Sequence, residues 1–174
     1  MDRSLFSELT AMALARTSAM GFSMPQLRFF TPLQSFWDTL KTITAGGAGV
    51  IEVGAGNGDM YFDGMAHGFA IQGIDTMQRD GVSHVYIADA TTFPFKPGML
   101  VICCRPDHSG WAGHALEQAL ECGASFAYIG LRQNFYRDLS DERLDDIPYE
   151  SAFDVGEEGE VMLGWGPLFT NGAN

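Results

Sequence analysis

Val50-Ile51-Glu52-Val53-Gly54-Ala55-Gly56-Asn57-Gly58-Asp59 is the stretch on which the reading of this chain turns. A short apolar strand runs into glycines at every second position. Glycine reaches positive φ without a Cβ penalty, so the backbone bends sharply on leaving the strand and offers a bare surface to a ligand. A helix that starts after such a turn aims its unpaired N–H groups at the same place. The dinucleotide-binding turn Gly-x-Gly-x-x-Gly would put its third glycine at position 59, where this chain has Asp59. A carboxylate there repels a pyrophosphate and suits a cationic ligand better. With 21 glycines in 174 residues the turn alone is a weak motif, and its surroundings decide its meaning.

Downstream, short apolar runs alternate with helix-like segments. The runs are Val50–Val53, Phe69–Ile74, His84–Ala88, Met99–Cys104 and Phe126–Leu131, and they lack polar alternation, as strands covered on both faces do. Trp111 to Cys122 carries Ala112, Ala115, Leu116 and Ala119 at helical spacing. Strand, helix and strand in repetition predict an α/β domain with a doubly wound, mostly parallel sheet. The C-terminal part changes period. Tyr149 to Val155 and Val161 to Trp165 alternate across the turn Gly156-Glu157-Glu158-Gly159, which predicts that a sheet of about seven strands ends in an antiparallel hairpin.

Upstream, Thr31 and Pro32 suit the cap and first position of a helix with Leu33, Phe36, Trp37 and Leu40 on one face, closed by Gly46 and Gly47. Residues 1–30 read as a separate helical extension, with a helix from about Ser4 to Ser18, and residues 31–174 as the main domain. The extension is open between capping a cofactor, covering a substrate and forming a homodimer contact.

Two acids place the ligand. Asp75 closes the second strand, where a carboxylate can accept hydrogen bonds from ribose hydroxyls, and Asp89 closes the third, within reach of an adenine amino group. Both fall at the carboxyl edge of the sheet, where open α/β folds bind ligands. Glu52-x-Gly54-x-Gly56-x-Gly58, Asp75 and Asp89 together resemble the first cofactor motifs of the class I S-adenosylmethionine-dependent methyltransferases, over about residues 31 to 167. The resemblance implies that Glu52 helps hold the ammonium of S-adenosylmethionine and that Gly54, Ala55, Gly56 and Gly58 line its methionyl part. It further implies that Asp75 binds the ribose, that Thr76 and Met77 border the adenine, and that Asp89 with Ala90 contacts its far edge.

In that architecture the residues after the fourth strand face the methyl group. Here they read Arg105-Pro106-Asp107-His108-Ser109-Gly110-Trp111. Amino-methylating nucleic-acid enzymes carry Asn/Asp-Pro-Pro-aromatic at this point, and this chain departs from it. Asp107 and His108 are the candidate catalytic base pair, set against the alternative that they cap the following helix. Arg105, Trp111, Phe135 and Tyr136 are the candidate substrate-binding residues. No metal site is expected, because His108 and His114 do not share a helical face.

Composition narrows the function. The net charge is −12, with 10 Lys and Arg scattered among 22 acids, which disfavours a nucleic-acid substrate. The acids from Asp138 to Glu160 read as a solvated face. Cys103, Cys104 and Cys122 read as reduced thiols packed as small hydrophobes, and no apolar run or leader pattern points to a membrane, so a cytoplasmic location is expected. The expectation is a methyltransferase acting on a small molecule or a protein side chain. The alternative is a catalytically degenerate relative that binds the cofactor or a protein. A small NAD-dependent oxidoreductase is disfavoured by Asp59 and by the absence of a Tyr-x-x-x-Lys pair.

Overall fold

The nearly unbroken apolar character of four of the five runs has its counterpart in a sheet covered on both sides. The run at 84–88 departs from it, because it forms an edge strand whose Tyr86 and Ile87 are 61% and 65% exposed. The computed structural model describes residues 30–77, 79, 82–107, 109–134 and 151–170. Within them the order is α1 (Gln34–Ile43), β1 (Val50–Val53), α2 (Asp59–Ala66), β2 (Ile71–Asp75), β3 (Val85–Ile87), β4 (Leu100–Cys104), α3 (Trp111–Glu121), β5 (Ser125–Leu131), β6 (Ser151–Asp154), β7 (Glu160–Trp165) and the short α4 (Pro167–Thr170). The expected helix over Ser4 to Ser18 lies outside the described residues.

The strands form one seven-stranded sheet in the order β3-β2-β1-β4-β5-β7-β6. β1 to β5 run parallel, and β7 is antiparallel to both β5 and β6. Alternate side chains divide the core. Ile51, Val53, Val101, Cys103, Phe126, Tyr128, Leu163 and Trp165 face the layer of α3. Val50, Leu100, Ile102, Ala127, Ile129 and Met162 face the layer of α1, with Phe30, Phe36, Trp37, Leu40 and Phe169. A period-two backbone with apolar residues at both phases can be buried only between two layers.

Three expectations are corrected. Thr31 and Pro32 do not begin α1: its cap position is Leu33, without a side-chain hydrogen bond, and the helix starts at Gln34. Instead Pro32 bridges Gly156, Leu33 N–H donates to the Val155 carbonyl at 2.8 Å, and Glu157 N–H donates to the Thr31 carbonyl at 3.3 Å. The hairpin turn thus draws this segment into extended backbone. β7 is buried along its whole length, not half-exposed, because it lies between β5 and β6 under helices on both faces. Glu160, read with the solvated acids, is buried at the start of that strand.

Candidate functional site

β1 leaves the sheet into the glycine turn, and Gly54, Gly56 and Gly58 all take positive φ, at 66°, 54° and 71°. Ala55 N–H donates to the Ile74 carbonyl at 3.0 Å, which ties the turn to β2. Asp75, the last residue of β2, grips the turn from the side: its Oδ2 accepts from Gly56 N–H at 2.8 Å and its Oδ1 from Met77 N–H at 3.1 Å. Each carboxylate oxygen can accept a second hydrogen bond. Asp89 follows β3, and its Oδ1 accepts from the Thr91 N–H at 2.9 Å and hydroxyl at 2.7 Å. Those bonds hold its carboxyl below the usual range. The turn, the acids and the loops after β4 and β5 enclose a cleft of about 760 Å³. That is within the roughly 300–1,000 Å³ of small-molecule sites.

Glu52 is the outlier in this cleft. It is 5% exposed, and its Oε2 is the buried side-chain polar atom without a hydrogen-bond partner among the described residues. Burial pushes its pKa from the ordinary 4.5 up to about 8; a hydrogen bond with the Cys104 thiol opposes the shift, and the carboxylates of Asp59, Asp75 and Asp63 add to it. Cys104 is therefore not packed merely as a small hydrophobe. It lines the cleft, and burial followed by the Glu52 charge raises its thiol well above the usual value. Cys103, one residue earlier, is core.

The loop after β4 begins with strain. Arg105 has φ 47°, alone among the described non-glycine residues, and such a conformation costs on the order of 1 kcal/mol. Its N–H donates to the Ile129 carbonyl at 2.7 Å. Its Nη1 meets Glu158 Oε2 at 2.7 Å and Glu160 Oε1 at 3.2 Å, so this guanidinium lies against the β6–β7 turn while bordering the cleft. Asp107 Oδ1 accepts from Ser109 N–H at 3.2 Å, from the Ser109 hydroxyl, and from Trp111 Nε1 at 3.1 Å. The indole of Trp111 lies against Gly54: a Cβ there would stand 2.7 Å from Cη2.

No family model and no curated protein matches the sequence. Among solved structures, the PH0226 protein of Pyrococcus horikoshii superposes with a TM-score of 0.55 at 13% identity, over 77% of this chain and 88% of that one. A TehB-like S-adenosylmethionine-dependent methyltransferase from Corynebacterium glutamicum gives 0.46 at 12% identity, over 93% and 98%. The sugar N-methyltransferase KedS8 from a Streptoalloteichus species gives 0.44 at 13%, over 60% of this chain and 49% of that one, so the chain spans about half its length. The deciding observation is the strand order with β7 reversed between β5 and β6. This is the class I methyltransferase fold.

In this methyltransferase fold the described part of the expected site converges. Glu52, Gly54, Ala55, Gly56, Asp75, Thr76, Met77, Asp89, Ala90, Arg105, Asp107 and Trp111 all line one cleft. Gly58 does not line it: it precedes α2 under the His84 and Val85 side chains. His108, Phe135 and Tyr136 lie outside the described residues. The cleft also takes in residues that the sequence reading did not assign to it, among them Phe30, Arg79, Cys104 and Asn134. Arg79 alone left a trace, as the one Lys or Arg between Lys41 and Lys96. Its guanidinium would be 3.8 Å from a Cβ on Gly56. No group of His, Cys, Asp and Glu suited to a metal ion occurs among the described residues, and no helix there is long and apolar enough to cross a membrane.

Proposed function

We propose that the chain is an S-adenosylmethionine-dependent methyltransferase acting on a small molecule or a protein side chain. The observation that carries the reading is Glu52, a carboxylate buried beside the glycine turn with one oxygen unsatisfied. Such a group is costly to keep unless a ligand supplies a donor or a cation. The ammonium of S-adenosylmethionine supplies both. Asp75, with acceptor capacity left on both oxygens, would take the ribose hydroxyls. Thr76 and Met77 would border the adenine, with Ala90 and Asp89 at its far edge. When bound, the cofactor supplies an electrophilic methyl group. The chain's own task is to orient an acceptor next to it and exclude water. Arg105 and Asn134 border the cleft on the side of the β4 and β5 loops, where an acceptor would enter.

The net charge of −12 supports an acceptor other than nucleic acid. A degenerate binding protein is the second reading, favoured by the Trp111 cover over Gly54 and by the engagement of Asp107 in local hydrogen bonds. Calorimetric titration with S-adenosylmethionine tests the first step. The chain should bind, and Asp75→Ala should lose at least about tenfold in affinity, as expected for lost hydrogen bonds to a charged acceptor. Absence of binding would remove the proposal. Transfer of a radiolabelled methyl group to a component of cell extract would then separate enzyme from binder.

A further inference from the structure

The contacts between the loop after β4 and the glycine turn give Asp107 a task other than proton transfer. Trp111 is the first residue of α3, and Gly110 before it takes φ 85°, which turns the chain into the helix. The indole reaches from there to the exit of β1 and covers Gly54 so closely that a Cβ would stand 2.7 Å from Cη2 and 2.8 Å from Cζ2. Its Nε1 is tied at 3.1 Å to Asp107 Oδ1, the oxygen that also accepts from the N–H and the hydroxyl of Ser109. Ser109, Asp107 and Trp111 all line the cleft. The missing Cβ of Gly54 is therefore accounted for by the chain's own tryptophan. The bare surface of the turn is reduced to Gly56, whose nearest side chain is Arg79.

We infer that Asp107 and Trp111 form a strap across the mouths of β1 and β4, in which the indole is a wall of the cofactor site and Asp107 is the positioning residue that holds it there. The inference rests on the methyltransferase reading above. The wall has the right chemistry, because an aromatic face attracts a cation and excludes water from a sulfonium. A carboxylate that fixes the indole N–H keeps the ring from swinging into the cleft, so ligand binding does not have to include the cost of ordering it.

The test is calorimetric titration of the full-length chain with S-adenosylmethionine, accompanied by tryptophan fluorescence. Trp111→Ala should weaken binding about tenfold or more. Asp107→Ala, which removes the acceptor, and Trp111→Phe, which keeps an aromatic ring but removes the donor, should each weaken it about three- to tenfold, the range of one hydrogen bond. Asp107→Asn keeps an amide oxygen that accepts from the indole and should stay within about twofold of the parent. Ligand-induced quenching should disappear in Trp111→Phe, because Trp37 and Trp165 are core residues, and shrink in Asp107→Ala. If Trp111→Ala does not fold, the Phe variant and the Asp107 pair carry the test. Unchanged affinity in both Asp107→Ala and Trp111→Phe overturns the strap. An equal loss in Asp107→Ala and Asp107→Asn overturns the holding role of Asp107. Failure of the unaltered chain to bind overturns the methyltransferase reading and this inference with it.

Discussion

Two glutamates on neighbouring parts of one sheet have opposite fates. Glu52 lies on β1 in the parallel half and Glu160 opens β7 in the antiparallel half, and both are buried. Glu160 is fully answered: Arg105 Nη1 stands 3.2 Å from Oε1, and Glu158 N–H donates to Oε2 at 2.9 Å. Glu52 has a thiol beside it, three further carboxylates nearby, and an oxygen with no partner among the described residues. A buried charge is tolerated when it is paired and hydrogen-bonded, and an unanswered one takes up a proton instead. The antiparallel end therefore uses its glutamate to join strands. The parallel end leaves one oxygen of its glutamate without a hydrogen-bond partner among the described residues.

Removing the cation is the severest way to break the comparison. Arg105→Ala leaves Glu160 buried without a counter-charge, and such losses cost about 3 kcal/mol, or roughly 6–12 °C of melting temperature in a chain of this size. A drop of only a degree or two in thermal melting would mean that Glu160 finds another partner.

Glu52→Gln should act with the opposite sign. The folded chain keeps the Glu52 proton up to about pH 8, whereas the ordinary value is 4.5. The unfolded state therefore binds fewer protons between those values. The stability linked to this group is complete below about pH 4.5 and is lost as pH rises towards 8. The glutamine variant escapes that loss, so its stability should exceed the parent's by an amount that grows over this window, on the order of 3 kcal/mol at pH 7. Parallel melting curves at pH 5 and pH 8 would count against a buried, protonated Glu52.

The parent's affinity for S-adenosylmethionine should rise as pH approaches about 8, by up to about tenfold per pH unit, because an ammonium selects the ionised carboxylate. Binding should release a proton, which calorimetry in buffers of different ionisation enthalpy detects. At the small end, Glu158→Ala should cost under about 1 kcal/mol, since Glu158 is 71% exposed and its pair with Arg105 is a surface one.

Much of the parallel half is legible along the chain. The span of β1 is read without error, and β2, β4, β5 and α3 fall within two residues of expectation, because continuous apolar runs and helical spacing are local signals. Asp75 and Asp89 are legible for the same reason: one is the last residue of its strand and the other stands two residues beyond its strand's end. The antiparallel end is harder. Its hairpin can be read from alternation and glycine, but not the insertion of β7 beside β5, which depends on residues as far apart in the chain as Ala127 and Gly164 coming into register. That insertion is what buries Glu160. Nor does any local pattern announce that Thr31 and Pro32 answer to Gly156 and Glu157 rather than to α1.

The sequence by itself determined the layered α/β plan, the glycine turn and the acids along the carboxyl edge, since periodicity and glycine spacing act over a few residues. Only the tertiary structure decided which buried acid is neutralised, that Cys104 faces Glu52, and that Trp111 rather than a ligand covers Gly54. Those outcomes depend on electrostatics and close packing between segments distant in the chain, where one guanidinium or one indole decides whether a polar group is answered from within.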